Sequence, residues 1–411
     1  MQEFDVYASW MIQAEKIGHC VVENARGKEI IGFSYEREWL RRHPGFVLDP
    51  DILQMEGIQF PPANKPCFGF LSDTSPDRWG RKLMDRREAI DAKDEGRPKR
   101  RLQESDYILG VHDGGRMGGI RFYDSRQDAY LSDRQTLSAP PMEKLRELEQ
   151  AALKIDENPA ARKWINNLID PGSSLGGARP KANVIDALGN LWIAKFPSKR
   201  DEYDIGAWEM VAHNLSAKCG IQCPEARIMC FSKHGTTYLS RRFDRKHDRR
   251  IHYASAMTMA GKTDMEAAGY LDIVSIIESL CSKPKEALLE LWTRMIFNIC
   301  ISNTDDHLRN HGFILGEDGW ELSPCFDVNP DPNKDHMALS IGDETAKSIE
   351  NALDIAEYFR LSNAQSKESV RRIQSVISKN WEAEANKLQI SRSEQEKMRS
   401  AFDESYHDIG L

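Results

Sequence analysis

A short polar segment of the chain holds the residue types that phosphoryl transfer needs. It covers residues 304–310 (TDDHLRN) and follows an apolar stretch that predicts a helix over residues 288–301. Phosphoryl transfer requires a carboxylate that orients and deprotonates the attacking hydroxyl, together with oxygen ligands for magnesium. Asp305 is suited to the first task and Asn310 to the second.

A second acid follows a hairpin that we predict between His311 and Leu322. Asp327 lies just beyond it, where an aspartate can hold the metal that bridges the nucleotide phosphates. A helix cap by Asn303 or Asp305 and a turn at Asp327 would explain each acid alone, but not their placement around one hairpin. The arrangement therefore favours Asp305 as the base, with Asn310 and Asp327 as magnesium ligands.

A loop of small residues, 172–181 (GSSLGGARPK), leads directly into a predicted strand. Its glycines allow successive backbone N–H groups to point at one phosphate, and Lys181 or Arg179 would add positive charge. The spacing of a Walker A motif is absent. A glycine turn before a hairpin has the same composition, so the loop alone leaves both interpretations open.

Lys195 lies in a predicted strand over residues 191–196, on a face where a lysine needs a partner. Glu209, on an amphipathic helix predicted over residues 205–215, is the nearest candidate. A pair of this kind positions the phosphates of ATP in two-lobed kinases. A lysine at a sheet edge and a glutamate on an exposed helix face are the alternative.

The order of the predicted elements indicates an α+β protein in which a β-rich part precedes a helical part. We predict a small α/β domain over residues 1–125, a linker and helix over 126–165, a β-rich lobe over 166–250 and a helical lobe over 251–411. This order suits an enzyme that clamps a nucleotide between two lobes, although many other α+β proteins share it.

Composition excludes several classes of protein. The 411 residues carry a net charge of −8, which gives no overall attraction to nucleic acid or to an anionic membrane. No apolar run approaches the roughly 18 residues that span a bilayer, and the N-terminus lacks the pattern of a signal peptide. Eight cysteines are too few for a disulfide scaffold. We therefore expect a cytoplasmic protein with no membrane contact.

With these residues assembled, the sequence closely resembles the HipA-type serine/threonine kinases, the toxins of bacterial toxin–antitoxin pairs. The resemblance covers nearly the whole chain. Its motifs follow in family order at residues 68–73 (FGFLSD), 76–81 (PDRWGR), 115–122 (GRMGGIRF), 174–181, 193–197, 242–245 (RFDR), 304–310 and 326–327.

The resemblance implies a two-lobed, protein-kinase-like α+β fold that uses ATP and Mg²⁺. It implies that Asp305 is the catalytic base, that Asn310 and Asp327 hold magnesium, and that Lys195 contacts the ATP phosphates with support from Glu209. His307 and Arg309 would shape the catalytic loop. The other implied nucleotide contacts are Leu175, Gly176, Gly177, Ala178 and Lys181 in the phosphate loop and Arg241, Phe243 and Asp244, the last toward ribose, at the hinge.

The same resemblance matches Ser174 to the family's autophosphorylated serine, with Ser173 as a second candidate. It implies a toxin that phosphorylates a serine on a cellular protein, such as an aminoacyl-tRNA synthetase or another translation component. It also implies a DNA-binding antitoxin as partner, with DNA contacted only through that partner. Two alternatives remain, a small-molecule kinase of the aminoglycoside or choline type and a kinase-like corepressor module.

Overall fold

The computed structural model describes residues 2–25, 27–133, 139–157, 168, 179–247 and 249–403. The chain forms two compact units. The first unit holds residues 1–199 and 241–264, and the second holds residues 200–240 and 265–411. Because each unit joins segments that are distant in sequence, the domain boundaries predicted at residues 125, 165 and 250 remain predictions.

A five-stranded antiparallel sheet begins the first unit. Its strands follow one another across the sheet in the order Lys28–Tyr35, Glu15–Ala25, Gln2–Ala8, Ile120–Asp124 and Ala129–Tyr130. Alternation along the central strand buries Phe4, Val6 and Ala8, and the ring of Phe4 packs edge-on against Phe122 with centroids 5.0 Å apart. The fifth strand extends this sheet beyond residue 125.

The rest of the first unit contains helices and short strand pairs. The helices are Arg37–Arg42, Gly69–Asp73, Arg78–Asp94, Glu104–Gly110, Leu145–Glu157 and Ala256–Met259. The strands are Lys181–Ile185, Leu191–Lys195, Arg245–Lys246, Arg249–Arg250 and Tyr253–Ser255. Lys181–Ile185 pairs antiparallel with Leu191–Lys195, which confirms the predicted hairpin, and Gly189 takes the positive φ of +82° in its turn.

Helices dominate the second unit. They are Ile205–Lys218, Tyr270–Leu280, Pro284–Cys300, Ile349–Asp354, Asn363–Lys387 and Arg392–Asp403. The strands form three antiparallel pairs. Ala226–Ser232 pairs with Gly235–Arg241, Gly312–Leu315 pairs with Trp320–Leu322, and His336–Ile341 pairs with Glu344–Ala346.

The helix Pro284–Cys300 forms the centre of the second unit. Every residue from Leu291 to Cys300 is buried, as expected for a helix that other elements surround. The helix and the hairpin that follows the polar segment 304–310 confirm the sequence predictions. Among the described residues, no helix is long and apolar enough to cross a membrane.

A buried histidine makes the stability of the first unit depend on pH. His252 stacks on Trp10, with ring centroids 4.1 Å apart and planes within 9° of each other. Burial lowers the pKa of His252 to about 3. The unfolded chain accepts a proton near pH 6.5, whereas the folded chain resists it, so stability is lost as the pH falls from 6.5 toward 3.

We predict that His252→Phe, which keeps an aromatic ring in the stack, flattens this dependence. Between pH 6 and pH 4 the free energy of unfolding of the wild type should fall up to about 1.4 kcal/mol per pH unit more steeply than that of the variant. Urea unfolding at several pH values measures both slopes. The exposed His247, replaced in the same way, is the control. Equal slopes for wild type and His252→Phe would contradict the assignment.

Candidate active site

The polar segment 304–310 forms a loop directly after the central helix of the second unit. Asp305 is exposed, whereas its neighbour Asp306 is only 2% exposed. Asn310 ends a short 3₁₀ turn, and its Nδ2 donates to the backbone oxygen of Asp305 at 3.1 Å. This bond closes the loop and leaves Oδ1 as the atom of Asn310 that can bind a metal. The loop therefore presents the predicted base at its surface.

Asp306 is the anchor of the loop. Three donors converge on its Oδ2, namely Tyr270 Oη at 2.5 Å, His311 Nε2 at 2.9 Å and Asn298 Nδ2 at 3.0 Å. A carboxylate only accepts, so His311 carries its proton on Nε2. Burial by itself would raise the pKa of Asp306, but the interactions with His311 and Tyr270 hold it below its ordinary value.

A chain of hydrogen bonds runs from Asp306 to Asp327. Asn298 Oδ1 accepts from Asn303 Nδ2 at 3.0 Å, and Asn303 Oδ1 accepts from the backbone N–H of Asn329 at 3.3 Å. Asn329 Nδ2 in turn donates to Asp327 Oδ1, also at 3.3 Å. One polar network therefore links buried Asp306 to Asp327, and we call its three asparagines, Asn298, Asn303 and Asn329, the asparagine relay.

The donors near Asp327 suit magnesium. Asp327 has a φ of +59°, a left-handed conformation that aspartate tolerates better than most residues. Asn329 Oδ1 is buried and accepts no hydrogen bond from the described residues. Carboxylate and amide oxygens are preferred ligands of Mg²⁺. No three His, Cys, Asp or Glu side chains in the described ranges form a metal cluster, but magnesium binds through one or two carboxylates, substrate phosphates and water.

Glu209 also belongs to the second unit and lies near this site. It is 3% exposed on the helix Ile205–Lys218. Burial raises the pKa of Tyr238 well above its ordinary value, and the negative charges of Glu209 and Asp327 raise it further. Tyr238 is therefore within electrostatic range of both acids. Glu209 is therefore buried, whereas the alternative interpretation expects a glutamate on an exposed helix face.

The first unit places two lysines side by side. Lys181 and Lys195 are directly opposite each other in the hairpin register, so their side chains leave the same face. Lys181 is 3% exposed, and its Nζ lies 3.0 Å from Asp77 Oδ2. Asp77 caps the helix Arg78–Asp94. Lys181 is thus already paired within the first unit, and the phosphate contacts of Lys181 and Lys195 remain predictions.

Residues of the predicted hinge make hydrogen bonds within the first unit. Asp244 is completely buried, and it accepts hydrogen bonds from Arg242, from Arg245 and, at 2.7 Å, from the backbone N–H of Gly118. This geometry gives Asp244 a structural role between two segments of the first unit. Arg241 donates to Asn190 Oδ1 at 2.6 Å. The nucleotide contacts of Arg241, Phe243 and Asp244 remain predictions.

Several residues that the sequence predicts at the site lie outside the described residues. Ser173, Ser174, Leu175, Gly176, Gly177 and Ala178 are all outside the described residues. His307 is half-buried, and its Nδ1 is buried without a hydrogen-bond partner in the part of the chain that is described. The structure thus brings together Asp305, Asn310 and the relay to Asp327 within one unit.

Sequence reasoning missed the residues that hold these groups in place. Asp306, Asn298 and Asn303 are internal polar residues, and Asn298 lies in the last part of a helix, residues 295–300, where every other residue is apolar. A buried asparagine in such a helix is itself a signal, because an unsatisfied amide would be costly there. Asp77 stands in the motif over residues 76–81, but nothing local indicates its partner.

A family model described as the HipA-like C-terminal domain matches residues 173–384, more than half of the chain. The chain belongs to the HipA-like family. This confirms the family predicted from the motifs. The matched range contains the hairpin with its two lysines, the polar segment 304–310 and Asp327. No curated protein matches the chain.

A solved structure confirms the HipA-like α+β fold. The chain is similar to HipA of Shewanella oneidensis MR-1, solved with HipB and its operator DNA, with a TM-score of 0.67 and 15% identity. That match covers 98% of this chain and 97% of the other. A second match is CtkA, a proinflammatory kinase of Helicobacter pylori, with a TM-score of 0.36, 14% identity and coverage of 56% and 95%.

We predict that Asn298→Asp destabilises the second unit. The new carboxylate would replace the N–H that donates to Asp306 and would face a second negative charge in a buried position. The free energy of unfolding should fall by about 1–3 kcal/mol or more. Urea unfolding measures the loss, with Asn333→Asp at an exposed position as the matched control. Equal stability of the two variants would show that the relay does not support the loop.

Proposed function

We propose that this protein is an ATP-dependent serine/threonine protein kinase that acts as the toxin of a toxin–antitoxin pair. The observation that carries the proposal is the geometry of the proposed catalytic loop. Asn310 donates a hydrogen bond to the backbone oxygen of exposed Asp305, and buried Asp306 holds the loop in place. A helix cap alone would not require a second, buried acid that accepts hydrogen bonds from three donors, as Asp306 does. The relay to Asp327 adds the other carboxylate that phosphoryl transfer uses.

The proposed chemistry assigns one task to each group. Asp305 accepts a hydrogen bond from the serine hydroxyl of the substrate and takes its proton as the oxygen attacks the γ-phosphorus of ATP. The bond from that phosphorus to the ADP oxygen breaks. Asn310 and Asp327 would hold Mg²⁺, which when bound offsets the charge of the phosphates. Lys195 provides a fixed cation for the phosphates, with Glu209 as its proposed support.

The proposed partner is a DNA-binding antitoxin. HipA of Shewanella oneidensis MR-1, which this chain resembles in fold, was solved with HipB and its operator DNA. The net charge of −8 gives this chain little attraction to DNA by itself, so we assign the DNA contact to the antitoxin. The proposed substrate is a cytoplasmic protein of the translation machinery, such as an aminoacyl-tRNA synthetase.

Labelling tests the proposal directly. The protein is incubated with γ-labelled ATP, magnesium and cell lysate, and labelled proteins are identified by mass spectrometry. We expect phosphoserine on one or a few proteins. Label only in small molecules would favour an aminoglycoside- or choline-type kinase, and no transfer at all would favour a corepressor without catalysis.

We predict that Asp305→Ala and Asp327→Ala each abolish transfer while the fold survives. Loss of the base at Asp305 should lower the rate about 10²- to 10⁴-fold, and loss of Asp327 should remove a magnesium ligand. Phosphate transfer and thermal unfolding are measured together. Asp318→Ala, whose side chain is 72% exposed at a hairpin turn of the same unit, is the matched control. Wild-type turnover in folded Asp305→Ala would refute the kinase proposal.

We also predict that phosphorylation of Ser174 switches the enzyme off. A phosphoserine adds about −1.5 to −2 charges at pH 7, and beside the triphosphate it should be repelled from the nucleotide site. Calorimetry should show ATP binding by the unmodified protein and a large loss of affinity after quantitative phosphorylation. Ser173→Ala and Ser174→Ala, compared after autophosphorylation, separate the two serines. Equal ATP affinity with and without phosphate would contradict the switch.

A further inference from the structure

Within the second unit, the helix that carries Glu209 is bonded to the last of the described helices. We call them the Glu209 helix (Ile205–Lys218) and the C-terminal helix (Arg392–Asp403). Glu394 lies in the first turn of the C-terminal helix, and its Oε1 accepts from Trp208 Nε1 at 2.8 Å. Trp208 is completely buried and immediately precedes Glu209 in the chain. One carboxylate oxygen therefore fixes the side chain next to Glu209.

The same oxygen of Glu394 holds the start of the Glu209 helix. It also accepts from the backbone N–H of Asp204, the N-cap residue, at 2.9 Å. The carboxylate of Asp204 in turn accepts from the backbone N–H and from Oγ1 of Thr236, in the strand Gly235–Arg241, at 2.9 and 2.6 Å. A Cβ at Gly206 would lie 2.1 Å from the backbone oxygen of Thr236. The first turn of the helix is therefore fixed against this strand as well as to Glu394.

Charges placed at both ends of the Glu209 helix match its dipole. The carboxylate of Glu394 lies at the N-terminal end, where negative charge is favourable. At the other end Arg372 Nη1 donates to the backbone oxygen of Cys219, the C-cap residue, at 2.9 Å, and positive charge is favourable there. Between them, Asn214 Nδ2 donates to Glu384 Oε2 at 3.1 Å. The helix is therefore held along its length by residues that follow it by more than 150 positions.

The C-terminal helix is itself attached beside the polar segment 304–310. The backbone oxygen of Ala401 accepts from Ser302 Oγ at 2.8 Å, and Ser302 lies two residues before that segment. The next residue of the helix, Phe402, is buried and lies against Trp208 with ring centroids 5.8 Å apart. One helix therefore contacts both the Glu209 helix and the end of the central helix from which the polar segment starts.

We propose that Glu394 is a positioning residue of the kinase, which fixes the Glu209 helix so that Glu209 can support Lys195 at the ATP phosphates. The inference rests on the proposed function, in which a lysine and a glutamate together hold the nucleotide. Glu394 itself does not touch the nucleotide and acts through Glu209. Without its carboxylate, the buried N–H of Trp208 loses its acceptor and the start of the helix loses its contact with the C-terminal helix.

Calorimetric titration of the full chain with the non-hydrolysable ATP analogue AMP-PNP and magnesium tests the inference. Glu394→Ala should weaken binding of the analogue about tenfold. Glu394→Gln keeps an oxygen that can accept both hydrogen bonds, so it should retain most of the affinity. Glu396→Ala, on the same helix with a side chain that is 71% exposed, is the matched control and should bind like the wild type. Equal affinity of Glu394→Ala and the wild type would overturn the inference.

A double-mutant cycle separates positioning from a general loss of stability. Glu209→Gln should weaken binding of the analogue, and adding Glu394→Ala to that variant should cause little further loss, because the residue through which Glu394 acts is already changed. Losses that add independently would overturn the inference. All titrations are run well below the unfolding temperature of each variant. Glu394→Asp, whose side chain is one methylene group shorter, carries the test if Glu394→Ala does not fold.

The wild type and Glu209→Gln distinguish failure of this inference from failure of the proposed function. A wild type that does not bind the analogue would remove the proposed function and this inference with it. Binding by the wild type together with unchanged affinity in Glu209→Gln would overturn the inference and the role of Glu209, and would leave the kinase proposal in place.

Discussion

The hydrogen bonds to the buried carboxylate of Asp306 hold the polar segment 304–310 in place, and the proposed catalytic geometry depends on them. An ionised side chain inside a protein is stable only when its partners replace water. Here Tyr270, His311 and Asn298 provide three donors to one oxygen. These donors come from two helices and from the residue before a hairpin strand, so they tie the loop to elements on several sides.

This anchor explains why two adjacent aspartates have different tasks. Asp306 is buried whereas Asp305 is exposed, so the two neighbours have different surroundings. The buried acid sets the conformation, and the exposed acid is available for chemistry. The asparagine relay extends the same order to Asp327. The side-chain amides of Asn298 and Asn303 both donate and accept, whereas Asn329 donates from its backbone N–H and from Nδ2.

The first unit, by contrast, contains clusters of positively charged side chains. Two lysines face each other across one hairpin, and four arginines line a cavity near its turn. Asp77, Asp113 and Asp244 neutralise part of that charge from within the unit. The phosphates of ATP are the proposed ligand at the lysines.

Local pattern in the sequence determined the elements that carry the site. The apolar run before residue 301, the alternation around Lys195 and the turn residues between His311 and Leu322 each depend on neighbours within a few positions, so periodicity predicts them. The spacing of Asp305, Asn310 and Asp327 also follows from the sequence, because one helix end and one hairpin set it.

Only the tertiary structure decided which polar residues support those groups. Lys181 meets Asp77 across more than 100 residues of chain, and Asp244 meets Gly118 across a similar separation. Asn298 and Asp306 are close in sequence, but only the packed structure shows that the two side chains meet. Burial and long-range pairing arise from the packing of whole elements. The periodicity of a sequence does not show which elements pack together.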